Sequence, residues 1–160
     1  MILLFSDSHN DRFSFETLYQ RFKRYKFKAA IHLGDVTDFN NLSILREISE
    51  EFYLVKGNND RFDMENVAIL KKLNIDFSFP PYEIFIEPFG FITIMHEPYF
   101  LKDYILKDHT RYIFYGHTHR KELKEENSKI IVNPGSISKF LSRERTYALI
   151  SKDEVLFEKI

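Results

Sequence analysis

The chain opens on Met1-Ile2-Leu3-Leu4-Phe5-Ser6-Asp7-Ser8-His9, five apolar residues that break into a polar turn rich in possible ligands. A short apolar run closed by a turn is the pattern of a strand buried on both faces, as in a parallel sheet covered on each side. The same plan recurs along the chain. Ala29-Ala30-Ile31-His32-Leu33 leads into Gly34-Asp35, and Phe52-Tyr53-Leu54-Val55 leads into Gly57-Asn58-Asn59-Asp60. Phe91-Ile92-Thr93-Ile94-Met95 ends on His96, and Tyr112-Ile113-Phe114-Tyr115 runs into Gly116-His117-Thr118-His119. Ligands of α/β proteins gather at the carboxyl ends of such strands, and here metal-competent side chains occupy that end of nearly every one.

Between the early strands the period changes. Phe15, Leu18, Tyr19, Phe22 and Tyr25 mark an amphipathic helix. Leu42, Leu45 and Ile48 suggest a second helix, and Val67, Leu70 and Leu73 a third, capped near Asp63 and ended near Asn74. The first half therefore reads β-α-β-α-β-α, with parallel strands and right-handed crossovers. The second half is strand-rich. A hairpin turns at Glu87-Pro88-Phe89-Gly90 between runs 82–86 and 91–95, a short helix covers 100–107, and strands follow at 112–115, 129–132, 145–150 and 154–158. Ser151-Lys152-Asp153 reads as the turn of the last hairpin. So many strands in 160 residues fit two sheets packed face to face, with helices outside, better than one open sheet.

Composition sets further bounds. A length of 160 residues corresponds to a single domain spanning 1–160. With 44% hydrophobic residues, including 17 Phe and 9 Tyr, the chain can build a sizeable aromatic core. It contains no Cys, which excludes disulfides and thiolate metal sites and leaves oxygen and imidazole as the ligands for any ion. The net charge of −1 disfavours a nucleic-acid partner held by counterion release. Arg21, Lys23, Arg24, Lys26 and Lys28 fit the solvated face and exit of the first helix. No apolar run is long enough to span a bilayer and none resembles a signal peptide, so a soluble, cytoplasmic protein without a membrane partner is expected. A homo-oligomer is left open.

Asp7, His9, Asp35, Asn58, His96, His117 and His119 make seven potential ligands, more than one ion needs. Two close ions are the natural reading, roughly 3.5–4 Å apart as in two-metal sites generally, with Asp35 as the bridge. If the extended geometry persists past Gly116, His117 and His119 share one face. Mixed nitrogen and oxygen donors favour manganese, nickel, iron, cobalt or zinc over magnesium or calcium. Two divalent ions against two carboxylates leave net positive charge even with a bridging hydroxide as nucleophile. That balance suits an anionic phosphate ester.

In this order, Asp7-Ser8-His9, Gly34-Asp35, Gly57-Asn58-Asn59-Asp60, His96 and Gly116-His117-Thr118-His119 resemble the calcineurin-like metallophosphoesterase superfamily, and most of all its small single-domain bacterial and archaeal phosphodiesterases. Asn133-Pro134-Gly135-Ser136 also resembles a segment of that branch. The resemblance implies a four-layer αββα sandwich of two mixed sheets flanked by helices, and a binuclear site on one edge. Asp7, His9, Asp35 and His119 would hold one ion, and Asp35, Asn58, His96 and His117 the other. It further implies a metal-dependent hydrolase of small phosphodiesters, with Asn10, Asn58 and Asn59 touching substrate. A phosphomonoesterase or nuclease on the same site and a protein-binding scaffold on the same fold are the alternatives. Two departures stand out: Asn59 occupies a position where many members have a proton-donating His, and Glu97-Pro98 follows His96 where Gly is common.

Other polar residues have plainer readings. His32, inside an apolar strand, is expected to be buried and hydrogen-bonded. His109 reads as a surface residue. Asn133-Pro134-Gly135-Ser136 is first of all a turn, and Lys139, Arg143 and Arg145 read first as solvated charge, although they could help hold a substrate anion.

Overall fold

The computed structural model describes residues 1–160. Strands β1 (Ile2–Phe5), β2 (Phe27–His32), β3 (Ser49–Val55) and β4 (Asp76–Ser78) run parallel in sequence order. Helices α1 (Arg12–Phe22) and α2 (Met64–Lys72) lie in two of the connections. The hairpin of β10 (Thr146–Ile150) and β11 (Val155–Lys159) returns from the end of the chain and pairs antiparallel with β1, giving the order β11-β10-β1-β2-β3-β4. The second sheet orders β5 (Tyr82–Ile86), β6 (Gly90–Ile94), β7 (Thr110–Phe114), β9 (Lys129–Pro134) and β8 (Lys121–Glu126) as β5-β6-β7-β9-β8. Its central pairs β6·β7 and β7·β9 are parallel and its outer pairs antiparallel. Both sheets are therefore mixed, as expected.

Alternation along β1 explains the layering. Ile2 and Leu4 enter a core shared with Ile92, Ile94, Tyr112 and Phe114 of the second sheet. Leu3 and Phe5 point the other way, into a cluster with Phe15 and Leu18 of α1 and Leu70 of α2. With both faces covered, the strand is apolar throughout. The outer face of the second sheet is covered more thinly. The short helix α3 (Leu101–Ile105) lays Ile105 against Met95, Ile113, Tyr115 and Ile131.

Two local expectations need correction. Residues 42–48 do not form an α-helix but two 3₁₀ segments, Phe39–Ile44 and Arg46–Ile48. Leu42, Leu45 and Ile48 are spaced by three, which is the 3₁₀ period rather than the α period, and the Asp38 side chain caps the first turn by accepting from the Asn40 N–H. Helix α1 stops at Phe22, with Lys23 as its C-cap, before Tyr25. Two strands carry no sequence pattern. β4 has three residues, and β8 is the highly charged run Lys-Glu-Leu-Lys-Glu-Glu, paired with β9 at the sheet edge. The Asp63 cap, the turn at residues 87–90 and the final hairpin form where expected.

Phe5 is the keystone of the outer core of the first sheet. It is fully buried and packs edge-on against both Phe15 and Phe52 at 6.2 Å between ring centroids. Phe5→Ala should cost about 3–5 kcal/mol, the usual range for emptying such a site. Urea unfolding checks this: a midpoint shift of less than about 1 kcal/mol equivalent would show that neighbouring rings refill the space.

Candidate metal centre

All seven expected donors converge where the carboxyl ends of both sheets meet. Asp7 and His9 follow β1, Asp35 follows β2, and Asn58 follows β3, while His96 and His117 follow β6 and β7. His119 ends the same loop as His117. Asp7 Oδ1 stands 3.3 Å from His119 Nε2 and 3.9 Å from His9 Nε2. Asp35 Oδ2 lies between two imidazoles, 3.3 Å from His9 Nε2 and 3.4 Å from His96 Nε2. Asn58 Oδ1 completes the far side, 2.9 Å from His96 Nε2 and 3.1 Å from His117 Nδ1. Two three-residue groups thus have ligand atoms within 4.8 Å of one another: Asp7, His9 and His119, and Asp7, Asp35 and His96.

His117 and His119 do not share an extended face. Both have left-handed backbones, with φ of 66° and 58°, so the chain curls after Gly116. His117 turns toward Asn58 and His96, and His119 toward Asp7. One loop therefore serves both sides of the ring. A side chain at Gly116 would meet Ser6 Oγ at 2.2 Å, so this close approach of two loops needs a glycine.

The surroundings fix each donor. The Nδ1–H of His96 donates to the Leu33 carbonyl at 2.7 Å, which leaves the Nε2 lone pair facing Asp35, Asn58 and His117. Asn59 gives both donors to Asp35, its backbone N–H to Oδ1 at 2.8 Å and its side-chain amide to Oδ2 at 2.7 Å. One N–H of the Asn59 amide thus holds Asp35, while the residue itself is exposed and keeps a second amide N–H. Asn10 is exposed and accepts from the Asn41 amide at 3.1 Å. Glu97 is half-buried and bonds to none of the seven donors.

His32 is buried and neutral. The Gly34 N–H donates to its Nδ1 at 3.1 Å, so its Nε2–H donates to Ser8 Oγ at 3.0 Å. Burial drives its pKa down to about 3. It acts as a post between two of the loops, as expected of a histidine inside a strand.

Electrostatics also favour a cation here. Burial would push the Asp35 carboxyl up, but the His96 imidazole and the Asn59 hydrogen bonds outweigh it and hold the group well below the carboxylate range. The adjacent Asp7 carboxylate raises His119, while burial of His96 is overcome by Asp35 and Asp7, which raise that imidazole too. Asp7 Oδ1 and His9 Nε2 are buried without any hydrogen-bond partner. Orphaned acceptors inside a ring of imidazole and carboxylate are costly unless something positive satisfies them. The donor set fits a borderline transition-metal ion.

Three residues that the sequence offered only as members of motifs, with no role of their own, support the ring. Asp60 is buried and accepts four backbone N–H bonds: Asp35 and Gly57 at Oδ2, and Val36 and Thr37 at Oδ1, all between 2.8 and 3.0 Å. Asn133 donates its amide to Gly116 O at 2.8 Å and Thr118 Oγ1 at 3.0 Å, bracing the histidine loop. Ser136 Oγ donates to Asp7 O at 2.8 Å. The 133–136 segment is thus a buried brace as well as a turn. Its signal was the unusual combination of Asn and Ser around Pro-Gly; for Asp60 it was an acid closing a loop whose other members already had roles.

Residues 1–154 match the calcineurin-like phosphoesterase superfamily domain. The chain belongs to that family. Over 98% of its length it is 24% identical to the phosphodiesterase MJ0936 of Methanocaldococcus jannaschii, covering 96% of that protein. Its fold is also that of a structurally characterised archaeal phosphodiesterase, with a TM-score of 0.87 at 20% identity and 99% coverage of each chain. The zinc complex of Vps29 from Entamoeba histolytica shares the fold at a TM-score of 0.69 and 18% identity, over 99% of this chain and 97% of that one.

Asp60→Asn would turn an amide NH₂ toward two backbone donors that now share a carboxylate oxygen. Charge-assisted bonds of this kind are worth about 1.5–3 kcal/mol each, so the variant should lose at least about 3 kcal/mol in urea unfolding. Stability within about 1 kcal/mol of the parent would show that the loops hold without this carboxylate.

Proposed function

We propose that the chain is a metal-dependent phosphodiesterase that holds two divalent transition-metal ions and hydrolyses small phosphodiesters. The observation that carries this reading is the ring itself: seven donors from five loops surround buried, unpartnered Asp7 Oδ1 and His9 Nε2. Asp7, His9, Asp35 and His119 would hold one ion, and Asp35, Asn58, His96 and His117 the other. Support for Asp35 as the bridge comes from its Oδ2, which is nearly equidistant from an imidazole of each group. When bound, the ions would supply Lewis-acid charge to activate water and stabilise the phosphoryl oxygens.

The protein's own part is placement. His96 is locked in one tautomer by Leu33, Asp35 is held ionised by Asn59 and His96, and the His117 N–H donates to Asp7 Oδ2 at 3.0 Å. Hydrolysis forms one P–O bond to the water oxygen and breaks one to the leaving alcohol, which must gain a proton. Asn59 has no titratable proton and is tied to Asp35, so activated leaving groups should react best. The name of the Methanocaldococcus relative agrees with diester chemistry. A purely protein-binding role on this fold would leave the orphaned Asp7 and His9 atoms without purpose.

Purified protein loaded with manganese or nickel should hydrolyse bis(p-nitrophenyl) phosphate, and Asp35→Asn should lose both bound metal and nearly all turnover. Elemental analysis with a metal titration checks both halves. Full metal occupancy with no turnover above background would sink the enzymatic reading, and two tightly held ions in the Asp35 variant would sink the bridge.

A further inference from the structure

Next to the donor ring lies a second concentration of chemistry that the ring does not use. The segment joining β9 to β10 folds back over the start of α1. The Lys139 N–H donates to Asp11 Oδ2 at 2.7 Å, and Ser14 Oγ donates to Ile137 O at 2.6 Å. This docking sets Lys139, Phe140, Arg143 and Arg145 opposite Phe13 around a concavity of about 590 Å³. That volume is in the range of small-molecule sites. Ser142 and Arg143 also line a recess of about 300 Å³ whose other wall includes His119 and Arg120. The concavity and the rim of the donor ring thus have a wall in common.

Its lining combines exposed aromatic rings with cations. Phe13 and Phe140 are 55% and 66% exposed. Arg143 and Arg145 pair with no carboxylate. Arg145 reaches only Ser14 Oγ, at 3.4 Å. The nearby Glu144 is already engaged by Lys159 at 2.6 Å and Lys121 at 3.6 Å, and Asp11 lies 4.0 Å from Lys139 Nζ with its oxygens accepting from Ser14 and the Lys139 backbone. Lys139 stands 5.6 Å and 5.1 Å from the Phe13 and Phe140 ring centres, and Arg145 5.9 Å from Phe13, so the ring faces look onto the cations. Rings suit a planar apolar group and unpaired guanidinium groups suit an anion, so one ligand carrying both would use the whole lining.

We propose that this concavity is a nucleotide subsite. A base stacks on Phe13 and Phe140, and its phosphate is held by Arg143 and Arg145, with guanidinium forks matched to phosphate oxygens. The shared wall would then aim the next phosphoryl group of the same molecule at the donor ring. The substrate class is a short nucleotide diester carrying a second phosphate, such as a 5′-phosphorylated dinucleotide. Placement of the scissile bond rests on the phosphodiesterase reading above; binding of the nucleotide arm does not.

The test separates the two. AMP titrated calorimetrically into the full chain in EDTA should bind saturably, and more tightly than ribose 5-phosphate or inorganic phosphate. Arg143→Ala/Arg145→Ala and Phe13→Ala/Phe140→Ala should each weaken AMP about tenfold, with melting temperatures compared to confirm folding. In manganese-loaded protein, the ratio of kcat/KM for 5′-phosphorylated dithymidylate over bis(p-nitrophenyl) phosphate should fall about tenfold in the arginine variant. No saturable AMP binding, or equal binding of AMP and inorganic phosphate, overturns the subsite. AMP binding that responds to both variants, in a protein that cleaves no diester, upholds the subsite and overturns the diesterase reading instead.

Discussion

The arrangement depends on a carboxylate that touches no cation. Asp60 is buried and gathers the backbone N–H groups of Asp35, Val36, Thr37 and Gly57, joining the loop after β2 to the loop after β3. Hydrogen bonds to an ionised acceptor are about twice as strong as neutral ones. The contact is close enough that a Cβ on Gly57 would meet Asp35 N and Oδ1 at 2.2 Å. The neighbouring loop is tied in as well: Asp7, His9 and Asn10 donate their backbone N–H groups to Gly34, Asp35 and Val36. The position of Asp35 at the centre of the ring is a consequence of this lacing.

The lacing also supports a costly backbone. Asp7, His9, Asp35, His117 and His119 all have positive φ, between 40° and 66°, a region non-glycine residues seldom enter. Each such residue costs roughly 1 kcal/mol or more. Together with the orphaned atoms of Asp7 and His9, this is a site folded against local preference. The stabilising contribution comes from the cores on either side of the first sheet, where Leu3, Phe5, Ile2 and Leu4 are fully buried.

Much of this was legible from residue order. Apolar runs ending in Asp, Asn or His located five strand ends, because burial on both faces leaves no polar alternation to blur the pattern. Less legible was whatever depended on contact rather than composition. β8 is charged at five of its six positions and takes its place as a strand by pairing with β9. Residues 39–48 tightened into 3₁₀ turns because their leucines are spaced by three. The separate aims of His117 and His119 depend on two left-handed residues that no periodicity reports. Asp60 and Asn133 act on backbone atoms of distant loops, so nothing near them in sequence betrays their targets.

The donor ring also straddles the seam between the two halves of the chain. Asp7, His9, Asp35 and Asn58 come from the loops of the first sheet, and His96, His117 and His119 from the second. Each sheet carries only part of the set, and the first sheet is itself completed by β10 and β11 from the end of the chain. Competence is therefore a property of sheet docking, not of secondary structure. A swollen state in which the sheets stay intact but the layer of Ile, Val and Phe between them loosens would retain its far-ultraviolet signature while its function was gone.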